Sequence, residues 1–335
     1  MADASRANWS SRPAFLLAAI GGAVGLGNLW RFPSIAGDNG GGGFVIVYLA
    51  FVFFLGVPLM AGEMLLGKRG HKSPVNSIAN LVKAQNANGF WRSIGWVSLL
   101  VPFIGLSYYA VVAAWAIDYL LLAATNSFAA FAGAPSRETF TRRSAHPAAH
   151  RGPAQARETH RAVTVLDVAR GVNRGVERAS KVLMPGLFGI IVVLVVYGMV
   201  SADFAGAVDF LFKPDFSRMT AESYLMALGQ ALFSLGIGVG DMITYSSYMP
   251  AEYSLRTSTT VICIGDTLAA LLAGLAIFPI VFANGLDPAG GPGLIFVTLP
   301  IAFGNMPAGQ IIGTLFFTLL LFAAYSSTLG MLEPV

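Results

Sequence analysis

Charge is scarce in this chain. The 335 residues include 21 Lys+Arg and 17 Asp+Glu, 11% of the total, against the roughly 25% usual for a soluble domain. With 55% hydrophobic residues and a mean hydropathy of +0.67, this deficit excludes an ordinary soluble domain, and the 12% aromatic content excludes disorder. Cysteine is almost missing. Cys263 stands alone inside an apolar run, so no disulfide framework, zinc cluster or thiol pair can be built. The 38 glycines and 17 prolines follow no triplet period, which excludes collagen. The few basic residues are a weak nucleic-acid signal, and no nucleic-acid partner is expected. A polytopic membrane protein remains, with the lipid bilayer as its surroundings.

Long apolar runs separated by short polar ones cover about 13–37, 43–67, 89–124, 180–200, 222–249, 257–283 and 310–333. Each approaches or exceeds the ~20 residues that a helical span needs, and strand-like alternation is missing, so these are helices. The opening MADASRANWSSRP lacks the order of a cleaved signal peptide, and the first run is read as a mature membrane segment. Arg6 and Arg12 precede the first run, and Lys68, Arg69, Lys72, Lys83 and Arg92 lie between the second and third. By the positive-inside rule both regions, the N-terminus included, are cytoplasmic, as expected for a multi-pass protein of the cytoplasmic (inner) membrane. The basic stretch Arg170, Arg174, Arg178 and Lys181 should be inside as well, which requires a span after residue 125.

No such span is legible. Residues 134–162 contain six Arg, three of the four His and no Lys. They form either a long external loop or a segment altered by a reading-frame slip in a GC-rich gene, and the Arg, Ala, Pro and His density favours the second. His146, His150 and His160 carry little weight as metal ligands without a packed scaffold. Without this segment the chain holds 15 basic and 15 acidic residues, so the net charge of +4 says little about partners.

Two runs are interrupted by glycine. The first places Gly21, Gly22, Gly25 and Gly27 within AAIGGAVGLGNLWRFP, ahead of Pro33, and the run at 222–249 places Gly236, Gly238 and Gly240 at alternate positions before Asp241. Each interior glycine costs a helix about 1 kcal/mol relative to alanine, so both segments favour local unwinding. Inside a bilayer, unwound backbone survives only where it lines a polar cavity or coordinates a ligand. Freed carbonyls suit a hard cation such as sodium, and helix N-termini suit a carboxylate. Glycine used for close packing is the plainer explanation for one such segment, less so for two in corresponding halves, which point to a transport site.

The stretches NWSSRPAFLLAAIGGAVGLGNLWRFPSIAGDNGGGGFVIVYL, PLMAGEMLLGKRG, SYYAVVAAW, RGVNRGVERASKVLMPGLF, GQALFSLGIGVGDMITYSSYM and LLFAAYSSTLGMLEP resemble the neurotransmitter:sodium symporters, in their bacterial amino-acid-transporter branch. The resemblance runs through the whole chain except about 134–162. It implies an all-α membrane protein with the leucine-transporter-type inverted-repeat fold, as a single partial transporter domain over 1–335. The first repeat would cover 13–200 and an incomplete second repeat 222–335, with helices 1–3 and 5–8 present, helix 4 disrupted and helices 9–12 absent.

The same resemblance implies sodium-coupled symport of a neutral amino acid, with two sodium ions and no organic cofactor. One sodium site would use the Ala23 carbonyl, Asn28, Ser234 and the substrate carboxylate; the family's further Asn falls on Gly265, with Asp266 beside it. The other would use carbonyls of Gly21, Val24 and Ala323 and hydroxyls of Ser326 and Ser327. Taken alone, such serines are more often bonded back to the preceding helical turn. The substrate carboxylate would meet amides near Leu26 and Gly27 and the Tyr109 hydroxyl, and its amino group the carbonyls of Ala23 and of the Phe233–Ser234 segment. Phe233 and Tyr109 would form a lid; without the resemblance they read as core residues.

Side-chain selectivity would rest on Gly105, Gly236 and Val239, each smaller than in the leucine-transporting relative, which leaves room for a bulky hydrophobic or aromatic amino acid. Arg31 resembles the external gate, and Arg6, Trp9, Ser247 and Tyr248 the internal one. An acid in an apolar span is functional by default, and Asp266 is matched to charge compensation; Glu63 and Asp241 have no assigned role. A membrane-embedded enzyme would need His, Cys or paired acids in the apolar runs, and His71, the one histidine outside 134–162, falls in a cytoplasmic loop, so no enzyme is expected; a lid argues against a passive channel. A non-functional fragment or frameshifted product of a transporter gene is the rival reading. Substrate identity, ion stoichiometry and oligomeric state are not encoded legibly.

Overall fold

A computed structural model of the chain describes residues 9–131 and 175–334. Arg6, the segment at 134–162 with its three histidines, and the basic residues Arg170 and Arg174 lie outside the described residues. The described part is helical, with no strand among those residues.

The first run folds as α1 (Arg12–Ala23), a π-helical turn over Gly27–Arg31, and α2 (Phe32–Asp38). Ser11 caps α1 by accepting the Ala14 amide, and Val24 closes it in an extended conformation at φ −71°, ψ 110°. The two halves meet at a 49° bend. The second run comprises α3 (Gly42–Phe51), a π turn over Val52–Gly56 and α4 (Val57–Gly70), which together form one apolar span. Short α5 (Pro74–Ala84) leads to α6 (Ser93–Ala124). After the undescribed stretch come α7 (Glu177–Ser201), the short α8 (Phe204–Phe212), α9 (Ala221–Ser234), α10 (Asp241–Ser247) and α11 (Leu255–Ala283). A π turn over Leu294–Thr298 joins α12 (Leu299–Asn305), and α13 (Gly309–Leu332) ends the described chain.

Among the described residues five helices are long and apolar enough to cross a membrane, and the bent α1–α2 pair makes a sixth candidate. The break between α9 and α10 has a direct local cause. Gly236, Gly238 and Gly240 sit at φ +65°, +90° and +83°, a left-handed region that costs other residues about 1–2 kcal/mol each. At Gly240 a Cβ would also lie 2.8 Å from the Ser98 carbonyl oxygen of α6. The unwound segment is tied down by Glu63 of α4, whose Oε1 accepts the Gly238 amide at 2.6 Å.

Glycine also sets how closely the elements approach. A Cβ on Gly67 of α4 would lie 2.0 Å from the Ile243 carbonyl oxygen of α10, and one on Gly25 would lie 1.8 Å from Ser327 Oγ of α13. The two broken helices meet where Cβ atoms added at Gly22 and Gly27 would lie 3.2 Å from the Tyr245 ring and 3.1 Å from the Phe233 ring, with α6, α11 and α13 around them. The outward face carries apolar side chains such as Phe53, Phe54, Phe103, Ile104 and Val200, as a bilayer-facing surface requires.

Candidate functional site

The unwound parts of α1–α2 and α9–α10 enclose a cavity of ≈ 190 Å³. Its walls include Ala23, Gly27, Gly105, Tyr109, Phe233, Ser234, Gly236 and Val239, eight of the nine substrate positions read from the sequence. The ninth, Leu26, lines instead an adjoining outer cavity of ≈ 270 Å³ together with Trp30, Arg31, Ser34 and Asp38. Phe233 and Tyr108 face both cavities, so Tyr108 is the tyrosine at their boundary, whereas Tyr109 belongs to the inner one. Phe233 is 41% exposed and stacks beneath the Arg31 guanidinium, 4.8 Å from its carbon, a cation–π contact.

Arg31 is held by the α9 residue Gln230. Arg31 Nη1 donates to Gln230 Oε1 at 2.9 Å, and Gln230 Nε2 donates to the Gly27 carbonyl at 2.8 Å. Gln230 is fully buried and links the outer cation to the unwound first segment. Sequence reading missed it because one amide in a helix has no pattern of its own.

On the α11 side, Asn28, Ser234 and Asp266 form a buried polar knot. The Asn28 amide nitrogen donates to Ser234 Oγ (2.9 Å), to the Asp266 carbonyl (2.9 Å) and to Asp266 Oδ1 (2.7 Å). Ser234 Oγ donates to Asp266 Oδ2 at 2.7 Å, while Asn28 Oδ1 accepts the freed Gly25 amide at 3.0 Å. The sequence expectation that placed Gly265 at this position is corrected here: Gly265 faces Ile20, whose Cδ1 would lie 3.1 Å from a Cβ, and Asp266, 0% exposed, faces Asn28 and Ser234. One residue along a helix turns a side chain by about 100°, enough to exchange the two. Asp266 gives the knot a carboxyl group able to offset a bound cation.

The other expected set meets where α1 ends against α13. Ser326 Oγ donates to the Val24 carbonyl at 3.3 Å and to the Ala323 carbonyl at 3.1 Å, and Ser327 Oγ abuts Gly25. Val24, Ala323, Ser326 and Ser327 therefore lie together. Gly21 sits nearby on α1, its Cβ position backed by Met184 of α7.

At the opposite end, Trp9 is 3% exposed and its indole nitrogen donates to the Tyr245 carbonyl at 3.0 Å. Its ring meets Phe15, Tyr245 and Tyr248. Tyr248 Oη donates to Glu333 Oε1 at 3.1 Å, and the Ser247 carbonyl lies 3.2 Å from His71 Nδ1. Ser10 and Lys181 both bond Glu177, pinning the residues just before α1 to the base of α7. This end is sealed by aromatic packing while the other opens through the outer cavity. Among the described residues no group of three or more His, Cys, Asp or Glu is poised to hold a metal ion.

Discontinuous apolar helices whose breaks share a cavity define a multi-pass membrane protein of the transporter class. The profile of the sodium:neurotransmitter symporter family matches residues 6–143 and 153–335, and the chain belongs to that family, whose members are sodium-coupled transporters. The match passes over 144–152, within the Arg- and His-rich stretch. The sodium-dependent transporter YhdH of Bacillus subtilis is 37% identical over 335 residues, covering 100% of this chain and 73% of YhdH. The sodium-dependent serotonin transporter of Drosophila melanogaster is 27% identical over 376 residues, covering 99% of this chain and 59% of that protein. The crystal structure of MhsT in complex with L-phenylalanine superposes with a TM-score of 0.86 at 38% identity, covering 98% of this chain and 73% of MhsT. The fold is accordingly the leucine-transporter type.

Proposed function

We propose that this sodium-dependent transporter carries a neutral amino acid with a bulky hydrophobic or aromatic side chain, together with sodium at two sites, across the cytoplasmic membrane with its N-terminus inside. The observation that carries this reading is the single cavity into which eight expected substrate positions converge. One sodium ion is assigned to the Ala23 carbonyl, Asn28 and Ser234, with Asp266 supplying the compensating charge. The other is assigned to the Gly21, Val24 and Ala323 carbonyls and the Ser326 and Ser327 hydroxyls. Neutral oxygens suit a weakly bound monovalent ion that must also leave. MhsT, similar in sequence and fold, holds L-phenylalanine in its crystal structure, which supports the aromatic class.

Arg31 and Phe233 are assigned to closing the outer side, and Trp9, Ser247 and Tyr248, together with Arg6, to closing the inner side. In purified protein, sodium should be required for binding of radiolabelled large neutral amino acids, and glycine and alanine should compete poorly. Binding indifferent to sodium, or stronger competition by glycine or alanine, would overturn the proposal.

A further inference from the structure

Among the described residues, Asp241 is the one acid that lines the inner cavity. It is 2% exposed, and its Oδ1 accepts the neighbouring Met242 amide at 2.7 Å. Apart from the backbone amides of Met242 and of Asp241 itself, no described residue donates a hydrogen bond to this carboxyl group. Three glycines from three elements surround its Oδ2: Cβ atoms added at Gly236, Gly22 and Gly330 would lie 3.3, 3.4 and 3.6 Å from it. No side chain at any of these positions can supply a donor. Among the described residues the charged group that acts on it is a second acid, Glu63. A buried polar atom left unmatched is costly, and one facing a ligand cavity is matched when the ligand arrives.

The space vacated by glycine in this pocket is therefore not simply larger. At Gly105 it is bounded by Met331 Sδ, 3.4 Å from where a Cβ would stand, and at Gly236 by the Asp241 carboxyl group. Walls such as Val101, Pro102, Val239 and Met331 are apolar and suit a ring. One carboxyl oxygen can accept at most two hydrogen bonds. A lysine ammonium brings three donors and an arginine guanidinium five, and among apolar walls most of these would go unmet.

We infer that Asp241 is a specificity-determining residue that accepts a hydrogen bond from a ring N–H or O–H, so that the preferred substrate is an aromatic amino acid bearing one ring donor. The inference rests on the reading of this cavity as the substrate site. It separates tryptophan and tyrosine from phenylalanine, which the apolar walls alone would not do.

The test is sodium-dependent displacement of radiolabelled tryptophan from the purified chain. Competitors are tyrosine, phenylalanine, lysine, arginine and 3-benzothienylalanine, a tryptophan isostere with sulfur in place of the ring N–H. Tryptophan should bind at least about tenfold more tightly than the isostere, as expected when a site's polar group is left unpaired, and tyrosine should exceed phenylalanine similarly. In Asp241→Ala the tryptophan-to-isostere ratio should fall below about threefold; a ratio is insensitive to a general loss of affinity. If the variant binds nothing, the ratio in the unaltered protein decides. Equal affinities there would overturn the inference while leaving sodium-coupled transport standing, as would a ratio unchanged in Asp241→Ala. Stronger displacement by lysine or arginine would overturn it in favour of a cationic substrate. Absence of sodium-dependent binding for every amino acid tried would overturn the site reading beneath it.

Discussion

Single residues at the crossing of the broken helices carry two sharp predictions. Asp266 accepts from both Asn28 and Ser234, so Asp266→Asn removes a charge and sets a second NH2 group against existing donors. The sodium concentration for half-maximal substrate binding should rise at least about tenfold, since hydrogen bonds to charged groups contribute roughly 1.5–3 kcal/mol. A midpoint shifted less than about twofold would remove Asp266 from the ion site. Gly25→Ala places a methyl group 1.8 Å from Ser327 Oγ and must push α1 away from α13. Overpacking of this kind costs about 1–3 kcal/mol, so a lowered melting temperature and weakened sodium dependence should appear together.

Legibility at this scale was uneven. Most substrate positions followed from motif resemblance, and the structure brings eight of them to one cavity. Gln230, Tyr108, Met331 and the cavity-facing position of Asp241 did not follow. Asp241 follows an unwound turn, so its facing is set by the φ values at Gly236, Gly238 and Gly240; the other three lie in regular helices apolar on most faces, where no period singles them out. The exchange of Gly265 for Asp266 shows the same limit as a one-residue register slip.

At the scale of elements, the two interrupted helices were the most legible feature, because a run of glycines in an apolar segment has few other uses. The short α5, α8 and α12 were not, since they fall below the length of a span. The amphipathic α5 buries Ile78 and Val82 against α10 without crossing anything. The break in α9–α10 depends on the bond from the Gly238 amide to Glu63. Glu63→Leu leaves that amide without an acceptor and should lower stability by about 1–3 kcal/mol, read as a reduced melting temperature. Glu63→Gln keeps an acceptor oxygen and should recover most of the loss. Equal melting temperatures for the two variants would mean that the bond does not hold the break.

For the whole molecule, asymmetry between the two ends is the central feature. Trp9 packs against Phe15, Tyr245 and Tyr248 and seals one side, while the outer cavity beneath Asp38 and Trp30 leaves Phe233 exposed on the other. In the proposed gating, Trp9 leaves its pocket as Phe233 closes. Trp9→Ala removes a buried indole and its bond to Tyr245, weakening the inner seal. Apparent substrate affinity should fall, with a shift toward inward-open forms seen as protease or thiol-reagent access from the cytoplasmic side. An unchanged accessibility pattern would place the inner seal elsewhere.

The central claim, a sodium-coupled amino-acid site at the crossing of two broken helices, is tested most directly by one equilibrium measurement. Binding of radiolabelled tryptophan to the purified chain is followed as sodium is replaced by potassium at constant ionic strength. The account predicts saturable binding in sodium that disappears in potassium and is lost in Ser327→Ala. Binding of equal strength in both salts would contradict it.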